Sequence, residues 1–312
     1  MTFPSVVVVG GAIVDQKLTL HAPSVMGTSN PGRASTSLGG VARNVAENLA
    51  RLGVDVAFLG AVGRDALGDE LIARTSALGV DFTHVLRTDA PTSTYTAVLD
   101  PSGELVIAVV AMDRAGELSG DFLRARRLVL QGARVLVADG NSSEDTLRTL
   151  VDIAGERGIP VVLDPVSVPK AVKVRSVLRT RRSIHLVTPN REELEVLVER
   201  TVRESDLPSA ANALHELGVE RVWVRLGARG GFLSVEGEAS WLPAFPTRVV
   251  DVTGAGDASL AGYLHALLLG ASPEDAARSG HAAASLTLES EHTVSPLLSP
   301  RALRERLQGA TS

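Results

Sequence analysis

Short, nearly uninterrupted apolar runs punctuate the chain: VVVV at 6–9, AFLGA at 57–61, VLVA at 135–138, VVL at 161–163, IHLV at 184–187 and VWVR at 222–225. Most lack polar alternation, the pattern of strands covered on both faces. Between them apolar positions take helical spacing. In 41–52, Val41, Val45, Leu49 and Leu52 share a face, and 146–157 and 210–217 read the same way. Strand alternating with helix predicts an α/β chain with a mostly parallel sheet wrapped by helices.

One segment departs from that rhythm. TYTAVLDPSGELVIAVV, 94–110, is two extended runs joined by Asp100, Pro101, Ser102 and Gly103, with proline second and glycine fourth as a type I turn favours. A hairpin is predicted there. The stretch 16–38 is also extended and turn-rich, so the two segments are expected to form a small β-sheet standing off the main domain. Position alone leaves two readings open: an edge elaboration of the main sheet, or a lid over a site.

Composition narrows the field. A chain of 312 residues exceeds the usual single-domain size, so one main domain with a modest appendage is expected. It can bury roughly 75% of its unfolded surface without disulfides or metal. It has no cysteine, which excludes thiol redox chemistry and thiolate metal sites. A net charge of −5 argues against nucleic acid as the main partner. The start lacks the basic region of a signal peptide, and the longest uncharged run, 258–273, falls short of the ~20 apolar residues that span a bilayer. A soluble, cytoplasmic protein with no membrane partner is the expectation.

Four groups carry candidate chemistry. In DVTGAGDASLAGYL, 251–264, Gly254 and Gly256 precede an apolar helix and Asp257 follows at once. A helix start presents unpaired N–H groups and the positive end of its dipole, and glycines let those donors approach a phosphate. Asp257 can simply favour the helix N-terminus. Alternatively it accepts the proton of an alcohol during phosphoryl transfer, with the N–H groups of Ala255 and Gly256 stabilising the transferring group. No GxxxxGK[ST] string is present, so a Walker-type loop is not the device. In SLGGVARNVAENLARLG, 37–53, a second glycine pair opens an amphipathic helix; it is either a turn with a solvated asparagine, or Gly39, Gly40 and Asn44 face the hydroxyls of a sugar. Asp15 lies just past the first strand, where open α/β sheets bind ligands. In TPNREELEVL, Asn190 and Glu193 read as a capping box, or else organise water around Mg²⁺ and nucleotide phosphates.

Taken in this order, the four groups resemble the PfkB-type sugar kinase family, whose best-known member is ribokinase, and the match covers almost the whole chain. The resemblance implies a ribokinase-like three-layer sandwich: one kinase domain over 1–312, with a β-lid formed by about 16–38 and 92–112. It implies Mg·ATP as donor, Asp257 as base, and Gly254, Ala255 and Gly256 as the anion hole. Asp15, Gly40 and Asn44 would hold the sugar. Thr253, Asn190, Glu193, Arg225, Gly227 and Gly230 would lie on the nucleotide side, with Glu193 reaching Mg²⁺ through water. Leu226 departs from the lysine or threonine-like residue of many relatives. Many relatives also use K⁺ beside the anion hole, where Asp251 and the segment 290–295 fall.

Finer strings resemble the pseudouridine kinases of that family. They are Ser29, Asn30, Pro31 and Gly32; VADGN at 137–141; DPVS at 164–167 with Lys170 and Lys173; and SEHT at 290–293. The implied activity is ATP-dependent phosphorylation of the 5′-hydroxyl of pseudouridine. Its carbon–carbon glycosidic bond leaves N1–H free, and Asn30 or the lid's Ser93, Thr94 and Tyr95 would read the base. A ribokinase or broad nucleoside kinase is the nearest alternative, and a non-catalytic sugar- or nucleotide-binding regulator the remote one. The lid's extended edges are also expected to pair in a homodimer.

Overall fold

A computed structural model of the chain describes residues 3–112, 118–236 and 238–309. In chain order its first strands are β1 (Val6–Val9), β2 (Ile13–Leu20), β3 (Gly32–Gly39), β4 (Val56–Leu59) and β5 (Ala61–Gly63). Next come β6 (Val80–Asp81), β7 (Leu86–Thr88), β8 (Thr94–Leu99), β9 (Leu105–Ala111) and β10 (Val135–Asp139). The last are β11 (Val161–Asp164), β12 (Leu186–Val187), β13 (Arg221–Arg225), β14 (Gly231–Val235) and β15 (Glu238–Leu242). The helices used below are α1 (Val41–Arg51), α2 (Ala66–Ser76), α3 (Gly120–Arg124), α4 (Arg127–Gly132), α5 (Glu144–Gly155) and α6 (Val168–Leu178). They continue with α7 (Arg191–Val198), α8 (Leu207–His215), α9 (Ala255–Leu268), α10 (Pro273–Leu288) and α11 (Pro300–Gly309).

The main sheet runs β15-β14-β13-β12-β11-β10-β1-β4-β6, parallel from β6 to β13 and antiparallel beyond. Its strands read as unbroken apolar runs because both faces are covered. Val7, Val9, Leu136, Ala138 and Leu163 pack against Leu147, Leu150, Val174, Leu194 and Leu214 of α5 to α8. On the other face Val6, Val8, Phe58, Val137 and Trp223 meet Val45 and Leu49 of α1 and Leu260, Tyr263 and Leu264 of α9. At roughly 1.5–3 kcal/mol per buried aliphatic side chain, these two cores are the main force holding the three layers. Parallel strands align their carboxyl ends, so the residues closing β1, β10, β11 and β13 all emerge at one edge.

A second sheet, ordered β3-β2-β8-β9, stands apart from the first. The β8–β9 connection is the predicted tight turn: the Gly103 N–H donates to the Asp100 carbonyl at 3.0 Å, and Gly103 has φ +90°. The Asp100 carboxylate accepts from the Ser102 and Glu104 N–H groups at 2.8 and 3.0 Å. The edge strand β9 leaves Leu105, Ile107, Val109 and Val110 each more than half exposed.

The apolar run 57–61 is not one strand. β4 stops at Leu59, and Ala61–Gly63 leaves to pair with β7. Gly60 is the break, since a Cβ there would collide with the Phe58 ring. The run 184–187 shortens to Leu186–Val187, with Ile184 making an isolated bridge to Val219.

Candidate active site

The glycine pair before α1 has a steric cause. Gly40 sits at φ +95°, and a Cβ there would strike the Gly11 carbonyl. Gly40 brings no side chain to cap α1, and a residue far away in sequence does that work. Asp139, closing β10, accepts from the Ala42 N–H at 2.9 Å, from the Asn141 side-chain amide at 2.9 Å and from the Gly11 N–H at 3.4 Å. The cap ties α1 to the carboxyl ends of β1 and β10, and Asn44 sits in the first turn of the helix thus fixed.

Asn44 donates from Nδ2 to Asp257 Oδ2 at 2.7 Å, with both side chains buried. Its amide has one orientation because Arg43 donates to Oδ1. Arg43 is itself buried and donates to the Gly39 and Leu38 carbonyls, each at 3.0 Å, while pairing with Glu47. Asp15, on β2, tucks its carboxylate against Gly39, where any Cβ would collide with it. Burial pushes the Asp15 carboxyl up, opposed by Arg43 and Lys17. Gly10, Gly11, Ala12, Ile13, Ser93 and Asn141 line a pocket at this edge of the sheet.

Asp257 lies in the first turn of α9, behind Gly254 at φ +79°. A Cβ on Gly254 would strike the Thr293 carbonyl, so the segment 290–295 presses directly on the turn. The first N–H groups of α9 lack intrahelical partners; that of Ala255 makes only a long 3.4 Å bond to the Val252 carbonyl. Burial pushes the Asp257 carboxyl up to about 7, with Asp164 and Asp139 adding to the rise and Asn44 and Arg225 opposing it. A carboxyl near neutrality at a helix N-terminus is suited to taking a proton from an alcohol.

Across from α9, Asn190 and Glu193 form the full capping box: Asn190 accepts from the Glu193 N–H at 2.8 Å and Glu193 from the Asn190 N–H at 2.9 Å. The structural reading of this pair is therefore realised, and the same box fixes the Glu193 carboxylate beside Arg225. One Arg225 nitrogen lies 3.2 Å from Asp164 and 3.6 Å from Glu193. Its other terminal nitrogen lies against Gly256, where a Cβ would meet it. Burial and the neighbouring Asp164 push Glu193 up, countered by Arg225. Gly227 and Gly230 take positive φ, 62° and 85°, in the β13–β14 turn, while Leu226 joins the core. Asp251 accepts from the Thr253 N–H and hydroxyl at 2.8 and 2.7 Å, and its second oxygen stands 4.0 Å from the Lys17 ammonium.

Two expected contacts are not brought to this cluster. Asn30 spends its amide within its own loop, on the Val25 N–H and the Val25 and Thr28 carbonyls. Thr94 pairs with Val14 while Tyr95 pairs with Asp15, so Thr94 is on the face of the second sheet opposite Asp15. Tyr95 shares the face of Asp15, and Ser93 lines the pocket at this edge. Arg43 was passed over in the sequence, and Asp139 and Asp164 were given no role. For the two aspartates the signal was present: each closes an apolar strand run. A buried arginine inside a helix carries no such mark.

The pfkB family carbohydrate kinase profile matches residues 4–300. The pseudouridine kinase of Escherichia coli (strain K12) is 36% identical over 94% of this chain and 93% of its own length. The ribokinase of Haemophilus influenzae is 28% identical over 86% of this chain and 88% of its own. A structure of Arabidopsis thaliana ribokinase with ribose and ATP superposes with a TM-score of 0.86, covering 98% of this chain and 99% of that one at 24% identity.

Proposed function

The chain belongs to the pfkB family of carbohydrate kinases, and on that premise we propose that it transfers the γ-phosphoryl group of ATP to the 5′-hydroxyl of pseudouridine. The observation that carries the phosphotransfer chemistry is the buried Asp257 at the N-terminus of α9, hydrogen-bonded to Asn44 and titrating near neutrality. The choice of acceptor is supported by the identity to the Escherichia coli pseudouridine kinase.

In this reading the 5′-hydroxyl lies beside Asp257, which accepts its proton as the new oxygen–phosphorus bond forms and the bond to the β-phosphate oxygen breaks. Gly254, Ala255 and Gly256 shape the turn whose N–H groups meet the charge on the transferring group. Asp15 and Asn44 bind ribose hydroxyls, with Gly39 and Gly40 leaving room for the backbone approach. Of the residues expected to read the base, Tyr95, on the Asp15 face, and Ser93, in the pocket lining, keep that role. Gly227, Gly230, Asn190 and Thr253 lie on the nucleotide side.

The acidic residues fit Mg²⁺ as a phosphate-bound ion. Asp164 and Glu193 offer hard oxygen donors of the kind Mg²⁺ takes, with phosphates and water supplying most ligands. When bound, Mg²⁺ would neutralise donor phosphate charge, with Glu193 and Asp164 holding it through water. K⁺ beside Asp251 and 290–295, a single domain over 1–312, a homodimer through the apolar edge of β9 and a cytoplasmic location complete the proposal. No helix among the described residues is long and apolar enough to cross a membrane.

The test is Mg·ATP-dependent ADP release with pseudouridine, uridine, adenosine and ribose in parallel, with and without K⁺, using Asp257→Asn as the blank. Preference for pseudouridine is the expected result. Turnover of ribose or adenosine instead would replace the acceptor and keep the mechanism. Asp257→Asn retaining full turnover would refute the assignment of the base.

A further inference from the structure

Arg225 closes β13 at the edge where Asp164 and Glu193 also emerge. Its backbone is pinned there: its N–H donates to the Pro189 carbonyl at 2.9 Å. Its side chain is four-fifths buried, with 19% exposed. A guanidinium carries five donors in a rigid fork, and a buried one normally spends them. Here the approaches to Asp164 and Glu193, at 3.2 and 3.6 Å, are charge contacts outside hydrogen-bond geometry, and the side chain makes no hydrogen bond among the described residues. Arg43, more deeply buried at 1% exposure, spends its donors on two carbonyls, an amide and a carboxylate.

The unspent donors face a defined place. One terminal nitrogen lies against Gly256, in the space a side chain would fill, at the first turn of α9. The helix dipole and the guanidinium therefore direct positive charge to the same spot, and Asp257 is the next residue along. Neutralising Asp164 and Glu193 alone would not require the fork to lie over the helix start. A planar phosphoryl group, with three oxygens sharing charge, is a ligand whose shape and charge match that fork.

We infer that Arg225 is a catalytic residue, donating to non-bridging oxygens of the phosphoryl group as it passes from donor to acceptor. The inference rests on the phosphotransfer reading above. The bond from phosphorus to the β-phosphate oxygen breaks and that oxygen leaves with ADP. The bond to the acceptor oxygen forms, its proton goes to Asp257, and Arg225 meets the charge on the equatorial oxygens without gaining or losing a proton. Gly256 is thereby given a second function: it leaves the volume the guanidinium occupies.

The experiment compares Mg·ADP with Mg·ADP–fluoroaluminate, a mimic of the planar phosphoryl group, in wild type, Arg225→Ala and Arg225→Lys, each with nucleoside present. Calorimetry gives the affinities, and ADP release gives turnover with and without added guanidinium ion. Wild type is expected to prefer the mimic. Arg225→Ala should lose about 10²-fold of that preference, with Mg·ADP affinity changed by less than about 3-fold. Arg225→Lys should fall between, since an ammonium keeps the charge and loses the fork. Guanidinium should restore part of the turnover of Arg225→Ala, which a purely structural role would not allow. If Arg225→Ala keeps the wild-type preference, the inference is overturned while the kinase reading stands. If wild type binds neither nucleotide species, the phosphotransfer reading fails, and the inference with it.

Discussion

Replacing Asp257, the proposed base, should make the protein more stable, and by an amount that depends on pH. The Asp257 carboxyl titrates at 3.8 in an open chain and is pushed up to about 7 by its burial in the folded protein. Below pH 3.8 it is protonated in both states and adds no pH dependence. Between 3.8 and about 7 the unfolded chain has released a proton that the folded chain retains, so folding stability falls as pH rises. The slope is about 1.4 kcal/mol per pH unit, and the full loss roughly 4 kcal/mol. Above about 7 the carboxylate is ionised in both states and the loss is complete. Asp257→Asn keeps the shape and an oxygen to accept from Asn44, and it never ionises. Urea unfolding of both proteins at pH 5, 6, 7 and 8 should show the variant gaining on the wild type by about 2 kcal/mol between pH 5 and 7, then levelling towards pH 8. Acids not coupled to Asp257 titrate alike in both proteins and drop out of the difference. Two stability curves parallel from pH 5 to 8 would refute the claim that burial raises this carboxyl.

The same shift sets the pH profile of activity: kcat/KM of the wild type should climb until about pH 7 and then level, and Asp257→Asn should lose about 10³-fold in kcat. Gly256→Ala should leave thermal stability nearly unchanged, because the new Cβ meets only the mobile end of Arg225, yet turnover should drop as the guanidinium is displaced; unchanged turnover would count against that crowding. Asn44→Ala removes a donor that lowers the Asp257 carboxyl, so the rising limb of the profile should move to higher pH and the acceptor KM should increase. Asp139→Ala strips the cap from α1 and should lower stability by about 1–2 kcal/mol in urea unfolding at pH 7, with weaker acceptor binding.

Much of the sheet was legible because a doubly covered strand has a one-sided signature: it cannot afford polar residues on either face. The runs at 6–9, 135–138 and 161–163 match β1, β10 and β11 to within a residue at either end. The β8–β9 hairpin was legible for a different reason, since Asp100 to Gly103 supply their own turn chemistry. Where pairing depends on distant chain, the signal faded. Nothing local shows that Ala61 leaves β4 for β7, or that Thr94 and Tyr95 take opposite sides of the second sheet, because face is set by register against β2.

The site divides along the same line. Gly40, Gly254 and Asp257 announce themselves, since each is part of a turn whose geometry the neighbouring residues require. Asp139 and Arg43 act over tertiary distance. Asp139 caps a helix 97 residues earlier through the Ala42 N–H, and Arg43 orients Asn44, which reaches Asp257 across 213 residues. The arrangement explains why α1 begins on a glycine. A side chain at position 40 able to cap the helix would collide with the Gly11 carbonyl, so the cap had to come from another strand. Drawing it from β10 ties the position of Asn44 to the sheet edge that carries the pocket. Polar pairing and the placement of the candidate site are thus one set of hydrogen bonds, and a change that loosens Asp139 should be felt at Asp257 through α1.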